Sequence, residues 1–436
     1  MSAVERAIIL LPGRAEEKPR PAGSPLRRLL GLTLVQRTVL AAAQSGVKRF
    51  LLVGEDGSGW EAVTAAMGRD RRVVKSAIGL EFIPAERLAE VAGRGWAGTS
   101  FWLLRGNLVF DPALLGEIAG EDRAEGKPLR LDGGLALCPA GRFAVLVERL
   151  AAPGGLQAGA DILAAAAGPA AGGRTVGPGA RFCLEVSDRA SFRTAERRLL
   201  NTARKPTDGF FSRHFNRRIS LFLTRVFLKT GVAPAVQSVA TLLIGLASGW
   251  FVAQGGYGPS ALGAFLFDFA SIFDGCDGEN ARLTYRISKF GGFLDITGDA
   301  FIFVLFFLCL PVGLYRASRN VVWLWLGGLA LVSMGLFYAQ LVRYMKRKRL
   351  GNNIVAIARE IEASGARPGL LGRVDAIAGK MAFIYRRDFF STAACLIVLA
   401  GGAGVLMGLL GVFMPLQAVY MFLFSRHRLS QAGRPA

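Results

Sequence analysis

Cysteine is scarce in this chain of 436 residues, and its spacing argues against cross-linked architectures. The five cysteines are odd in number and scattered, without a Cys-x-x-Cys pair: Cys138, Cys183, Cys276, Cys309 and Cys395. Neither a zinc site nor a disulfide framework is therefore expected. A secretory signal peptide is not expected either, because the first apolar run, 6–12, is too short and predicts a β-strand.

Acidic residues are outnumbered, with 32 Asp and Glu against 53 Lys and Arg and a formal net charge of +21. Yet 52% of the chain is hydrophobic, and its mean hydropathy is +0.37. This combination favours a membrane protein with basic cytoplasmic faces, and nucleic acid is not an expected partner. Basic residues lie beside apolar runs, as in 343–349, which indicates contact with membrane lipid head groups or a phosphorylated substrate.

Charge is absent from long stretches of the second half of the chain. Residues 231–267 contain no charged side chain, and neither do residues 389–425. Shorter apolar runs cover 300–315 and 321–342. Because a membrane-spanning helix needs about 20 apolar residues, the pattern predicts an α-helical integral membrane domain of six transmembrane helices within 231–428.

The first 205 residues have a different pattern. Short apolar runs at 7–11, 50–53 and 101–104 alternate with helical patterns such as Val35–Ser45. That alternation predicts a soluble, Rossmann-like α/β domain with a mostly parallel sheet, which precedes the membrane domain.

Between the two domains, residues 206–230 mix large apolar side chains with regularly spaced basic ones. This pattern predicts an amphipathic helix in the membrane interface, although a helix packed on the soluble domain fits the same pattern. The basic residues concentrate in segments on the side of the N-terminal domain, which predicts cytoplasmic termini in a multi-pass inner (plasma) membrane protein.

A spaced set of polar residues interrupts the apolar half. Asp274, Asp277, Gly278, Ala281 and Arg282 recur at i, i+3, i+4, i+7 and i+8, which places them on one face of a helix. Gly291, Asp295 and Asp299 follow at intervals of four and share a second helix face. Two such helices aim four carboxylates at one point.

Four carboxylates beside apolar segments are costly unless cations accompany them. Hard oxygen ligands favour Mg²⁺ or Mn²⁺, and four Asp residues can hold two ions. Arg282 suits a phosphate oxygen, and Gly278 and Gly291 leave room for a close ligand. The set indicates a diphosphate substrate and phosphoryl-type transfer. An ion path in a transporter, or a scaffold, is the alternative from another functional class.

The spacing Asp-x2-Asp-Gly-x2-Ala-Arg-x8-Gly-x3-Asp-x3-Asp resembles the signature of the CDP-alcohol phosphotransferase (CDP-alcohol phosphatidyltransferase) family, and every fixed position is met. The resemblance covers roughly residues 208–428. It implies a homodimeric enzyme in which an acceptor hydroxyl attacks the β-phosphate of a CDP-alcohol donor and CMP leaves. It also implies a place in phospholipid biosynthesis or in the synthesis of a soluble phosphodiester.

The resemblance also implies residue roles. Asp274, Asp277 and Asp295 would bind metal, and Asp299 would be the general base and touch metal as well. The CDP pocket would be lined by the first-helix residues and one glycine of the second: Asp274, Asp277, Gly278, Ala281, Arg282 and Gly291. An alcohol or alcohol-phosphate acceptor would meet basic residues at the cytoplasmic ends of neighbouring helices, namely Arg343, Lys346, Arg386 and Arg387, although a cytoplasmic boundary carries such charges anyway.

The N-terminal domain resembles a sugar-nucleotidyltransferase domain. The run 7–14 and the residues up to Arg37 follow that family's glycine-rich loop and helix, and 101–111 follows its strand ending in Gly-Asp. The metal-binding Asp of that strand is Asn107 here, and a second one falls at Ser187 or Asp188. A degenerate domain that serves assembly or regulation is expected.

The order of the two domains is similar to proteins that fuse an inositol-phosphate cytidylyltransferase to a synthase of di-myo-inositol phosphate phosphate. This resemblance implies an alternative in which the N-terminal domain makes the CDP-alcohol from CTP and an alcohol phosphate such as inositol phosphate.

Overall fold

The computed structural model describes residues 4–15, 21–96, 98–125, 129–131, 134–139, 141–152, 155–156, 161–163, 174–175, 181–204, 215–287, 289–348 and 387–432. The chain divides into two units. The first comprises Met1–Ala203 and the short segment Leu283–Arg286, and the second comprises Arg204–Arg282 and Ile287–Ala436.

A seven-stranded sheet forms the centre of the first unit, in the order β10-β8-β9-β6-β1-β4-β5. The strands are β1 (Arg6–Leu10), β2 (Arg28–Leu29), β3 (Leu32–Thr33), β4 (Arg49–Gly54), β5 (Gly79–Pro84), β6 (Phe101–Arg105), β7 (Leu108–Phe110), β8 (Leu129–Leu131), β9 (Leu135–Cys138), β10 (Arg174–Thr175) and β11 (Cys183–Glu185). Strand β1 pairs in parallel with β4 and β6, and β9 runs antiparallel to β6. The prediction of an α/β domain with a mostly parallel sheet is confirmed.

Helices cover the sheet of the first unit. They are α1 (Leu34–Gln44), α2 (Trp60–Gly68), α3 (Arg71–Lys75), a 3₁₀ helix (Ala85–Arg94), α4 (Ala113–Glu125), α5 (Phe143–Ala151) and α6 (Arg189–Thr202). Helix α1 begins at a capping box in which Thr33 and Gln36 bond each other's backbone N–H groups. Alternate residues of β1 pack on opposite sides, with Ile9 in one buried cluster and Ile8 in the other. Burial on both faces explains the uninterrupted apolar runs.

The segment Leu283–Arg286 belongs to the first unit, although the expected domain 1–205 did not include it. Arg37 is 1% exposed and donates hydrogen bonds to the carbonyl oxygens of Leu283 at 2.9 Å and Leu29 at 2.8 Å. Its guanidinium also lies 6.0 Å from the ring centre of Tyr285. Burial lowers the pKa of Arg37 and raises that of Tyr285.

All regular elements described in the second unit are helices. Its helices are α7 (Arg217–Thr230), α8 (Pro234–Gln254), α9 (Tyr257–Leu283), α10 (Lys289–Ser318), α11 (Val322–Lys348), α12 (Arg387–Leu399) and α13 (Ala403–Ala432). Among these residues, four stretches are long and apolar enough to cross a membrane: Pro234–Gln254, Thr297–Ser318, Val322–Lys348 and Ala403–Arg426.

The predicted helical domain is thus confirmed, with four candidate spans among the described residues. The full number of six spans stays a prediction. Helix α9 has the required length, but five charged residues between Asp268 and Arg282 interrupt its apolar character. Helix α12 is apolar but has only 13 residues in the described part of the chain. The cytoplasmic helix and loop expected at 351–382 lie outside the described residues.

Small residues and aromatic rings hold the second unit together. A Cβ added to Gly249 of α8 would lie 2.8 Å from Leu305 Cγ of α10, so the two helices approach more closely than larger residues would allow. Phe267 of α9 stacks on Phe306 of α10 with ring centres 4.2 Å apart. These contacts fix α8, α9 and α10 as a group.

Candidate metal centre

Three aspartates converge in the second unit. Asp274 and Asp277 lie on α9 and Asp295 lies on α10, and one carboxylate oxygen from each lies within 4.8 Å of the other two. Asp277 is 6% exposed, and the other two are half-buried. Carboxylates this close repel one another, and a divalent cation offsets that repulsion. An all-oxygen donor set fits Mg²⁺ or Mn²⁺ better than zinc.

The two helices deliver these side chains because of the spacing read from the sequence. Asp274 and Asp277 are three residues apart, nearly one turn of α9, and so share a face. A short link separates α9 from α10, and Gly291 and Asp295 occupy the first two turns of α10. The structure therefore brings together three of the four predicted carboxylates.

Asp299 lies outside this group of three, one turn beyond Asp295 on α10. It is half-buried, on the face that the interval of four residues predicts. Its roles as general base and as metal ligand stay predictions.

Gly278 and Arg282 form a close pair on α9. A Cβ added to Gly278 would lie 3.3 Å from Nη1 of Arg282, which is tighter than ordinary van der Waals contact. The missing side chain at Gly278 thus makes space for the guanidinium one turn later. Ala281 and Gly291 are half-buried, and their place in a CDP pocket stays a prediction.

Two residues near the aspartates were not identified from the sequence. The hydroxyl of Ser238 on α8 bonds Oδ2 of Asp277. Glu279 on α9 is fully buried and accepts hydrogen bonds from three side chains of α7. A glutamate directly after Asp277-Gly278 in an apolar context was a usable signal, because a buried carboxylate needs partners.

The predicted acceptor residues do not form a described cluster. Arg343 and Lys346 lie near the C-terminal end of α11 and are exposed. Arg386 lies outside the described residues, and Arg387 begins α12 with its side chain undescribed. Asp268, which carried no predicted role, accepts hydrogen bonds from Ser391 and Thr392 of α12, both at 2.9 Å.

The position in the first unit at which the sequence predicts a metal-binding Asp holds the amide side chain of Asn107. Asn107 is 6% exposed, and its amide nitrogen donates to the carbonyl oxygen of Val186 at 2.9 Å and to Glu185 at 3.3 Å. Glu185 is also ion-paired with Arg105. A guanidinium therefore neutralises the carboxylate beside the position where a metal-binding Asp was expected.

The second predicted ligand, Asp188, is also engaged in a local contact. Asp188 caps α6, accepting a hydrogen bond from the backbone N–H of Ser191 at 2.7 Å. These bonds lower the pKa of Asp188. The carboxylate serves the helix terminus, as capping residues do.

Comparison with known proteins identifies relatives of both parts of the chain. A family model described as CDP-alcohol phosphatidyltransferase matches residues 232–416. The "Bifunctional IPC transferase and DIPP synthase" of Archaeoglobus fulgidus is 34% identical over 151 residues, 34% of this chain and 30% of its own length. The protein of that name from Rubrobacter xylanophilus is 31% identical over 333 residues, 69% of this chain and 74% of its own length.

The chain thus spans about a third of some curated relatives and three quarters of the Rubrobacter protein. A solved structure titled as the inositol-1-phosphate CTP transferase from T. maritima matches at 14% identity with a TM-score of 0.31, covering 45% of this chain and 96% of that chain. A score this low supports no inference.

The family match and the aspartate cluster together indicate a transferase. In this protein an α/β unit accompanies a helical unit with candidate membrane spans. The chain belongs to the CDP-alcohol phosphatidyltransferase family, in the group that includes the Rubrobacter protein.

Proposed function

We propose that the second unit transfers a phosphoalcohol group from a CDP-alcohol to an acceptor hydroxyl and releases CMP. The observation that carries this proposal is the convergence of Asp274, Asp277 and Asp295 within 4.8 Å. Three carboxylates in one small volume suit a substrate whose own diphosphate needs cations beside it. The family match over residues 232–416 supports the same reaction class.

In this proposal Asp274, Asp277 and Asp295 hold one or two Mg²⁺ or Mn²⁺ ions. The bound ions would neutralise charge on the diphosphate as the bond to CMP breaks. Arg282 binds a phosphate oxygen, and the space above Gly278 lets the guanidinium reach it. Ser238 fixes the orientation of the Asp277 carboxylate through the bond to Oδ2.

Asp299 accepts the proton of the acceptor hydroxyl. The acceptor oxygen bonds to the β-phosphorus, the bond from that phosphorus to the bridging oxygen of CMP breaks, and CMP leaves with that oxygen. The position of Asp299 next to the reacting atoms compensates for the modest basicity of a carboxylate. The acceptor, an alcohol or alcohol phosphate, meets Arg343, Lys346, Arg386 and Arg387.

CMP release by the purified full chain tests this proposal. Turnover of a panel of CDP-alcohols should require Mg²⁺ or Mn²⁺ and should disappear with a chelator. Asp295→Asn and Asp299→Asn should both lose it. CMP release at the wild-type rate by either variant would reject the assigned roles.

We further propose that six helices of the second unit span the inner (plasma) membrane, with both termini on the cytoplasmic side. The described part of α7 supports contact with membrane lipids, because Ile219, Phe222 and Val226 are exposed at intervals of three and four residues. Such an apolar stripe beside basic residues suits the membrane interface. A homodimer is part of this proposal, and cross-linking in native membranes tests it.

For the first unit, we propose a nucleotidyltransferase-like fold without cytidylyltransferase activity. Arg105 provides a fixed positive charge to Glu185, and the amide of Asn107 replaces a carboxylate ligand. A divalent cation gains little from such a site. Full-length protein given CTP and inositol phosphate should release no pyrophosphate.

The alternative is a bifunctional enzyme whose first unit makes the CDP-alcohol. The names of the relatives favour it, because each is called a bifunctional IPC transferase and DIPP synthase. Pyrophosphate release from CTP with an alcohol phosphate would establish it and would also identify inositol-type substrates.

A further inference from the structure

Glu279 is the most completely buried carboxylate described in the second unit, with 0% of its surface exposed. Its Oε1 accepts hydrogen bonds from the guanidinium of Arg217 and from Ser220 Oγ at 2.8 Å. Its Oε2 accepts one from Thr224 Oγ1 at 2.7 Å. All three partners lie on α7, so one side chain of α9 joins the two helices through a polar network.

The contact between these helices extends on both sides of Glu279. Cys276 Sγ lies 3.5 Å from the carbonyl oxygen of Ser220. The amide of Asn280 donates to the carbonyl oxygen of Val232, directly after α7, at 2.9 Å. Helix α7 and its C-terminal turn therefore lie along the stretch of α9 that contains Asp277.

A buried ion pair is by itself weak evidence of a stabilising role. The free energy needed to remove two charges from water often exceeds the free energy gained from their attraction. Well-packed apolar residues can frequently replace such an ion pair without loss of stability. The geometry offers another role. Glu279 follows Asp277 by two residues, so their side chains leave α9 about 200° apart. Fixing Glu279 against α7 therefore fixes the rotation and depth of the helix that carries Asp274 and Asp277.

We propose that Glu279, ion-paired with Arg217, is a positioning residue for the metal centre. It holds α9 so that the carboxylates of Asp274 and Asp277 reach the same point as Asp295. This inference rests on the proposed function, because it assigns a role toward the ions that the aspartates would hold. Groups that orient metal ligands typically change metal affinity by about 10- to 100-fold when removed.

The double variant Arg217→Met/Glu279→Met tests the proposal, because it removes both charges together and leaves neither unpaired. We expect the metal-free variant to melt within a few degrees of the wild type, because removal of two buried charges offsets the loss of the acceptor of the Ser220 and Thr224 hydroxyl groups. We also expect a dissociation constant for Mn²⁺, measured by electron paramagnetic resonance, that is raised about tenfold or more. The kcat of CMP release should fall, whereas the KM for the CDP-alcohol should change less.

Asp268→Met is the matched control. It also removes a carboxylate of α9 that hydroxyl groups of a neighbouring helix bind, but those groups lie on α12. Its Mn²⁺ affinity should stay within about twofold of the wild type, because Asp268 is six residues from Asp274 and makes its described bonds to α12.

Ser220→Ala/Thr224→Val provides a second test that keeps the ion pair, should the double Met variant not fold. It should raise the Mn²⁺ dissociation constant by a smaller factor, about threefold. If the double Met variant folds and keeps the wild-type Mn²⁺ affinity and kcat, the positioning role is wrong. If that variant does not fold, unchanged Mn²⁺ affinity in Ser220→Ala/Thr224→Val would overturn the positioning role instead. Absence of Mn²⁺ binding in the wild type would instead reject the proposed function.

Discussion

The two units differ in what surrounds the carboxylates at or beside their predicted metal-binding positions. In the first unit, Glu185 of β11 is ion-paired with Arg105 of β6, and the buried guanidinium of Arg37 donates hydrogen bonds to backbone carbonyl oxygens. In the second unit, Asp274, Asp277 and Asp295 converge on one another from two helices. A cluster of like charges is unfavourable for folding and useful for binding cations, whereas a carboxylate already paired with a guanidinium attracts a cation less. The contrast agrees with the proposal that the second unit holds the cations of the transfer reaction.

Asp295→Asn gives the largest expected effect. Loss of a metal ligand removes several kcal/mol of charge stabilisation, so the kcat/KM of CMP release should fall by about 1000-fold. The metal-free protein should melt no lower than the wild type, because the substitution relieves repulsion among carboxylates. A reduced melting temperature with retained turnover would break the contrast between the units.

Glu185→Ala should show the opposite behaviour. It leaves Arg105 without its carboxylate in a partly buried position and should cost about 2 kcal/mol of unfolding free energy in the first unit. CMP release at a temperature where the variant is folded should be unchanged. Denaturant unfolding and the CMP assay measure both, and a large loss of turnover in folded protein would contradict the assignment of Glu185 to structure.

Gly278→Ala tests whether the space beside Gly278 lets Arg282 bind phosphate. The new methyl group would lie 3.3 Å from Nη1 of Arg282, and the flexible guanidinium can shift with little loss of stability. The displaced group should bind phosphate less well, and the KM for the CDP-alcohol should rise about tenfold. Gly292→Ala on α10 is the matched control, because its added Cβ meets nothing within 4 Å.

The smallest expected effect concerns pH and the first unit. Hydrogen bonds and charge from Arg72 lower the pKa of Asp70. The pair therefore contributes stability above the carboxyl's unfolded pKa of about 3.9, and this contribution disappears as pH falls through the lower folded pKa. Asp70→Asn should destabilise the protein slightly at pH 7 and progressively less below pH 4. A pH-independent difference would exclude the ion pair as the cause.

Much of this fold follows from sequence periodicity. The strands around Ile8, Leu51 and Leu103 and helix α1 are found where the apolar patterns predict them. The convergence of Asp274, Asp277 and Asp295 likewise follows from intervals of three and four residues on two adjacent helices. Local spacing suffices here because the elements are consecutive in the chain.

Contacts between distant residues could not be predicted in the same way. Arg37 and Leu283 are 246 residues apart, and no local pattern pairs them. Glu279 and Arg217 lie 62 residues apart in separate helices, and an amphipathic pattern alone does not specify which basic residue turns inward. Four of the six predicted spans meet the length and hydropathy of a membrane-crossing helix in the described residues, and α9 does not because it combines apolar residues with several charges.

Whether Asp274, Asp277 and Asp295 form a metal site is tested most directly by titrating the metal-free, full-length protein with Mn²⁺. Electron paramagnetic resonance measures the binding. We expect saturable binding of one or two ions, which Asp295→Asn weakens by at least about tenfold and Asn107→Ala leaves unchanged. Binding that survives Asp295→Asn, or that disappears in Asn107→Ala, would contradict this expectation.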